Sequence, residues 1–404
     1  MLAAATAAAA TARRAAMVMA CPCRFVHRLT APVAGRLGAN AGPVATPAPS
    51  VQWLQPTTEG QPSTRVLCWT ASAPEGTPER RTGTAPPRGP PWQQKARRVA
   101  SAPQPLGTVV FLHGLNEHGG RIEPWVSFLL GRGLDVVAPD LDGHGFAAHR
   151  PGALPSDVHG TTRLVENAAT VVRWAATAGR GEEQAPVVLA GFSLGGQVAL
   201  RAAAQLAGSQ HSPLAGTAAI APLLRVHAES APPPALIAAA GIIAQLAPWL
   251  PVSPGSLGKP YSPTVSSVEL AAERTDPFVY TGWMRAGTGM ALSRSLRAAP
   301  QALRAIGKAG LPVLIQHGDS DRVCDVAGTI AACEDLGAGL VRWGDGAEGG
   351  QAASAATEQG RSCAVIYATG HHDLVRERPR LSRAAGHHFA AWCAASVSRA
   401  TRRA

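Results

Sequence analysis

From residue 108 onward, short apolar runs alternate with longer stretches that carry apolar residues every three or four positions. "TVVFLHG" stops at a glycine and is followed by "EPWVSFLLGRG"; "LDVVAPD" leads to the helical pattern "TTRLVENAATVVRWAATA"; "APVVLAGFS" leads to "LGGQVALRAAAQLAG". "GTAAIAPLL" is a further strand, and "LPVLIQHGD", the helix "DVAGTIAACEDLG", the strand "CAVIYATG" and a last helix near 380–400 close the series. Continuous apolar strands alternating with helices predict an α/β fold, a mostly parallel central sheet covered on both faces. In such sheets the residue just past each strand's carboxyl end is best placed to meet a ligand.

Two kinds of sequence break the alternation. Residues 224–300 open on three prolines in "ESAPPPALIAAAGIIAQLAPWLPV", a very apolar helix too short to span a bilayer. Inserted after the sixth strand, this stretch reads as a helical cap. Its helix either packs onto the core or forms a lid whose apolar face lines an acyl pocket and touches a lipid surface. The other breaks are low in complexity. "TRVLCWTASA", within an edge-strand region at 51–72, precedes a Pro/Arg-rich stretch (73–107) that cannot bury a core, and 344–362 reads as a similar insertion. The α/β core is then expected in two parts, 108–223 and 301–404.

Charge changes the picture less than its total suggests. The chain carries a formal +11, but residues 1–107 hold twelve basic side chains against three acids, leaving +2 for the rest. Basic residues scattered through low-complexity sequence do not make a nucleic-acid-binding face. Residues 1–50 contain arginines spaced through alanines and no acid, the composition of an organelle transit peptide. A plastid is placed ahead of a mitochondrion, although serine is scarce; the alternative is a disordered alanine-rich tail on a cytoplasmic protein. The seven scattered cysteines show no zinc spacing and indicate a reducing compartment. No metal or organic cofactor and no particular oligomeric state is implied.

The candidate chemistry sits at the strand ends. "GFSLGG" places Ser193 between Gly191 and Gly195 where a strand stops and a helix begins. Gly-x-Ser-x-Gly alone is a weak pattern, but in that context it is the nucleophile-elbow arrangement. Glycines permit the tight bend, and the helix N-terminus aims free N–H groups at developing negative charge. A serine hydroxyl needs a base, and the base needs an orienting carboxylate. Later strands offer both in order: Asp319, Asp321 and Asp325 in "HGDSDRVCD", then His371 and His372 in "TGHHDL". His387 and His388 fall inside the last helix and read as surface or packing residues. The His113-Gly114 turn after the first central strand makes the Leu115 N–H, with that of Leu194, the expected oxyanion hole. His113 is read as a brace with no chemical role.

"FLHGLNEHGGR", "APDLDGHG", "GFSLGG", "HGDSDRVCD" and "YATGHHDLVRERP" together resemble the monoacylglycerol lipase and lysophospholipase-like branch of the α/β-hydrolases, over about residues 108–395. "APLLRVHAESA" and "TDPFVYTGWMRAGTG" resemble that family's lid-flanking segments. The resemblance implies Ser193 as nucleophile, Asp321 rather than Asp319 as acid and His372 as base, with His371 as fallback. Glu117, His118 and Arg121 then brace the mouth of the site. Asn116 departs from the glycine usual beside the anion hole, and "GHGFAAHRPG" lacks the usual serine-glycine. Cys324 is read either as a packing thiol or as part of the pocket wall. The expected activity is hydrolysis of a small lipid ester, a monoacylglycerol or lysophospholipid, through an acyl-enzyme. Two alternatives are acyl transfer to an alcohol by the same triad, and a non-catalytic binding protein on this fold. Haloalkane or epoxide chemistry would need an aspartate where Ser193 stands.

Overall fold

The computed structural model describes residues 46–54, 64–71, 105–149, 152–158, 160–178, 184–209, 211–253, 267–344 and 347–403. The expected transit peptide, apart from its last few residues, and nearly all of the Pro/Arg-rich insertion lie outside the described residues.

Among the described residues, nine strands form one sheet. Its strands are β1 (Ser50–Leu54), β2 (Thr64–Trp69), β3 (Gly107–Leu112), β4 (Leu134–Pro139), β5 (Val187–Phe192), β6 (Leu214–Ile220), β9 (Val313–Gly318), β10 (Gly339–Trp343) and β11 (Cys363–Tyr367). A separate small pair, β7 (Pro251–Ser253) with β8 (Met284–Arg285), belongs to the cap. The main order is β1-β2-β4-β3-β5-β6-β9-β11-β10. β1 and β2 are antiparallel to each other, β2 is antiparallel to β4, and every other neighbour is parallel. The helices are α1 (Glu123–Leu130), α2 (Thr161–Thr177), α3 (Leu194–Ala207), α4 (Pro234–Leu246), α5 (Ser267–Thr275), α6 (Ala286–Ala309), α7 (Val326–Leu336), α8 (Ala347–Thr357) and α9 (Pro379–Thr401).

The period-two geometry of a strand splits the core between two faces. Val109 and Phe111 of β3 join Trp125 of α1 and Phe389 and Trp392 of α9 on one side. Val110 and Leu112 join Leu164 and Val172 of α2 and Val198 of α3 on the other. Both strand faces are dry, so the run is apolar without alternation. This is the mostly parallel sheet, covered on both faces, that the alternating apolar runs predict.

Three expectations need correction, and one strand was not foreseen. The "TRVLCW" strand is not the edge: β1 takes that place and β2 lies between β1 and β4. β10 was not anticipated, because a half-exposed edge strand carries no continuous apolar run. The 344–362 insertion is not core-free, since α8 packs Ala353 and Thr357, one turn apart, fully inside the protein. The cap boundary at 300 falls within α6, which continues through Pro300 to Ala309 and sets Leu303 and Ile306 against Leu200 and Ala203 of α3.

The cap begins after β6, as expected. Its first helix, α4, has no buried residue, although it is among the most apolar segments of the chain. Leu246 is 76% exposed and Ile242 64%, and Trp249, Leu250 and Trp283 are also exposed nearby. Packing of this helix into the core is therefore not what the structure has. Among the described residues, no helix is long and apolar enough to cross a membrane.

Candidate active site

Ser193 lies between the end of β5 and the start of α3, with φ +54° and ψ −116°. A non-glycine residue held there costs roughly 1–3 kcal/mol and persists only where its surroundings fix it. The fixing is visible: the Ser193 N–H donates to the Ile220 carbonyl at 2.9 Å, and the Ser193 carbonyl accepts from Gln197 and Leu223. The flanking glycines are steric necessities. A Cβ at Gly191 would stand 2.3 Å from the Gly195 carbonyl oxygen, and one at Gly195 would stand 2.3 Å from the carbonyl oxygens of Leu112 and His113. The elbow is thus wedged against the ends of β3 and β6.

Two later strand ends deliver the partners. The Ser193 hydroxyl is 3.0 Å from His372 Nε2, and His372 Nδ1 is 2.7 Å from Asp321 Oδ2. With a carboxylate at Nδ1, that nitrogen carries the proton and Nε2 is left to accept from the hydroxyl. Asp321 Oδ1 accepts the backbone N–H groups of Val323 and Cys324. Burial alone would raise the Asp321 pKa, but the charge of His372 and hydrogen bonds from His317 and His372 outweigh it and hold the carboxyl well below its usual range. Burial alone would lower the His372 pKa; the charge and hydrogen bond of Asp321, with the charges of Asp373 and Glu117, outweigh it and raise it. The Phe192 ring packs against the imidazole with centroids 4.9 Å apart. The array can take a proton from a serine oxygen and return it to a leaving group.

The rival residues have other partners. Asp319 accepts the Thr369 N–H, Asp325 caps α7 through Ala327 and pairs with Arg225, and His371 pairs with Glu377. His388 is buried beside the Tyr367 hydroxyl and the His387 ring packs against Phe128, so both histidines are packing residues.

The loop after β3 is braced from both ends. His113 Nδ1–H donates to the Gly114 carbonyl at 2.7 Å, while its Nε2 accepts the Leu141 N–H at 2.9 Å. Burial, reinforced by the neighbouring His144, pushes its pKa far down, and the neutral ring suits both bonds. Because a peptide's C=O and N–H point oppositely, pinning the Gly114 carbonyl turns the Leu115 N–H the other way. Glu117 Oε2 accepts the Gly114 N–H. Leu194 is the first residue of α3, so its N–H has no intrahelical acceptor. Asn116 takes φ +70° with its side chain buried; its Oδ1 accepts from Ser156 and its carbonyl from the Tyr280 N–H of the cap. Arg121 pairs with Glu117 and with Glu273 of α5, and His118 pairs with Asp276, so this loop also seats the cap.

Cys324 is fully buried, with its sulfur near Asp321 and His372. Among the described residues these three are the group close enough to share a metal ion, yet two of them already form the hydrogen-bonded pair. Sequence reasoning gave no role to His317, which also reaches the Asp321 carboxylate, although it stands in the same "HGDSD" segment.

Comparison with known proteins identifies the family. The family described as serine aminopeptidase, S33 matches residues 103–379. A monoacylglycerol lipase of Mycolicibacterium smegmatis is 32% identical over 226 residues, which cover 56% of this chain and 74% of that protein. The human monoglyceride lipase is 30% identical over 237 residues, 57% of this chain and 72% of that one. Among solved structures, a soluble variant of monoglyceride lipase from Saccharomyces cerevisiae, in complex with a substrate analog, aligns with a TM-score of 0.63 at 16% identity, covering 87% of this chain and 96% of that one. At that identity the structural likeness speaks for the fold. The chain belongs to the serine aminopeptidase S33 family of α/β-hydrolases, in its monoglyceride lipase-like branch.

Proposed function

We propose that this serine ester hydrolase cleaves lipid monoesters, with monoacylglycerol as the leading substrate and lysophospholipid as the next, through an acyl-enzyme on Ser193. The observation that carries the reading is the continuous relay from Asp321 through His372 to Ser193 at a strained elbow. His372 takes the hydroxyl proton as Ser193 attacks the ester carbonyl, and the oxyanion forms against the Leu115 and Leu194 N–H groups. Protonation of the leaving alcohol by His372 leaves the acyl-enzyme, which water activated by the same imidazole hydrolyses. No step in this scheme calls on a metal or organic cofactor.

The relatives named as monoacylglycerol or monoglyceride lipases support a glyceride substrate. The exposed apolar face of α4, with Trp249 and Trp283 close by in the cap, supports contact with the lipid surface that holds such a substrate. Residues 1–50 are proposed as an organelle-directing leader, testable by fusing them to a fluorescent protein. The substrate proposal is tested by a panel of monoacylglycerols, diacylglycerols, lysophospholipids and soluble short-chain esters, run with the full chain and with Ser193→Ala. Turnover of monoacylglycerol ahead of the others, lost in the variant, is expected; faster turnover of lysophospholipid, or of soluble esters only, would displace monoacylglycerol as the substrate.

A further inference from the structure

His317 is the fifth residue of β9, immediately before the turn that carries Asp321, and its side chain is fully buried. Its Nε2 stands 3.1 Å from Asp321 Oδ2 and 3.0 Å from the Cys324 carbonyl oxygen. Both neighbours are acceptors, so Nε2 carries the proton and shares it between them. On the far side of the ring, Nδ1 is 2.7 Å from the Thr329 hydroxyl of α7, which donates to it. One tautomer satisfies all three contacts. The ring cannot change tautomer without setting its lone pair against the carboxylate.

The consequence falls on one oxygen. Asp321 Oδ2 receives N–H groups from two imidazoles, His317 and His372, while Oδ1 receives two backbone N–H groups. The backbone pair alone fixes Oδ1 and leaves the carboxylate able to swing about that anchor. His317 supplies the second anchor, on the oxygen that must face His372. It also draws off part of the negative charge that His372 would otherwise have to itself.

Given the serine-hydrolase reading of Ser193, we infer that His317 is a positioning residue: a second, non-reacting histidine that orients Asp321 and limits how strongly it holds the proton of His372. It touches neither the substrate nor the serine. His372 also faces Asp373 and Glu117, and Asp373 is in turn faced by Arg121 and Arg376, so the acid limb of the rate reports Asp321 against that fixed background.

The test compares two replacements in the full chain. His317→Phe keeps a ring and removes the donor. Losing a hydrogen bond to a charged group should lower kcat about tenfold with KM little changed. The carboxylate, relieved of one donor, should pull harder on the His372 proton, moving the acid limb of kcat upward by about half a pH unit. His317→Gln retains an N–H that can reach Oδ2 and an oxygen that can accept from Thr329; it should recover most of the lost kcat and return the limb towards its original place. A folded Phe variant with wild-type kcat and pH profile would overturn the inference, as would a Gln variant as impaired as Phe. Should the Phe variant not fold, Thr329→Val withdraws the hydroxyl that holds Nδ1 and loosens the ring against Asp321. It should lower kcat and raise the limb to a smaller degree, and an unaltered profile there would equally overturn it. Ser193→Ala run alongside separates the two failures: residual hydrolysis in that variant removes the nucleophile assignment, whereas a dead Ser193→Ala with an indifferent His317→Phe removes the positioning role alone.

Discussion

Gly195→Ala should cripple the enzyme by moving the elbow rather than by touching a reacting group. The added Cβ would lie 2.3 Å from the carbonyl oxygens of Leu112 and His113, and 2.7 Å from the Leu112 carbonyl carbon, where real Cβ contacts essentially never fall below 3.0 Å. These are backbone atoms at the end of a buried central strand, so no side chain can swing aside. The N-terminus of α3 must therefore back away from β3 by roughly 0.7 Å or more, a repacking that costs on the order of 1–3 kcal/mol of stability. The displacement separates the two proposed oxyanion-hole donors, Leu194 moving with the helix and Leu115 staying with the strand. Misplacement on the order of 1 Å can cost about 10²-fold in rate. The assay is kcat on a soluble short-chain ester, with circular dichroism and thermal unfolding to establish that the variant is folded. Gly208→Ala, at the other end of α3, is the control, because its Cβ would meet nothing closer than 3.8 Å. A folded Gly195→Ala enzyme within about threefold of the wild-type kcat would refute this steric reasoning.

Asp321→Asn should lower kcat by about 10⁴-fold while the protein stays folded, because an amide N–H facing His372 Nδ1 forces the ring proton onto Nε2, where it blocks transfer from Ser193; a loss under tenfold would count against this role. The rate on a soluble ester should climb through an acid limb above the ordinary histidine value of about 6.5, since the base role proposed for His372 needs a neutral ring and its pKa is raised. The same pair sets a stability trend. Asp321, with its pKa held down, contributes stability that is full above about pH 4 and is lost as pH falls through its folded value; His372, with its pKa raised, contributes stability that is full at low pH and fades as pH rises through its folded value. Denaturant melts of wild type and Asp321→Asn across that range should therefore converge towards low pH. Replacing Leu246 and Trp249 by aspartate should weaken binding to monoacylglycerol-bearing vesicles at least about tenfold, since each large apolar side chain is worth about 1.5–3 kcal/mol on burial, and leave soluble-ester hydrolysis intact; unchanged sedimentation with vesicles would discard the lipid-facing role of α4.

Where a feature is local, the sequence carries it. The elbow is legible because strand, bend and helix occupy consecutive residues and the bend admits glycine alone at 191 and 195. The choice among Asp319, Asp321 and Asp325 is not local. All three follow one strand, and only the fold turns Asp321 inward while Asp319 meets Thr369 and Asp325 caps α7. His317 escaped notice because a histidine inside an apolar run reads as core, and its bond to Asp321 depends on a turn that sequence does not draw. α8 escaped because alanine and glycine without large apolar residues look like filler, although small side chains suit the tight contact with α9 and β10. α4 left two readings open: an all-apolar helix suits burial or a lid, and here its apolar residues face out.

The most direct test of the site is covalent. Treating the full chain with a fluorophosphonate and mapping the adduct by mass spectrometry should place a single modification on Ser193, absent from Ser193→Ala and much slower in His372→Ala, with ester hydrolysis disappearing in step. An adduct on another residue, or hydrolysis that continues in Ser193→Ala, would contradict the assignment of Ser193 as the nucleophile.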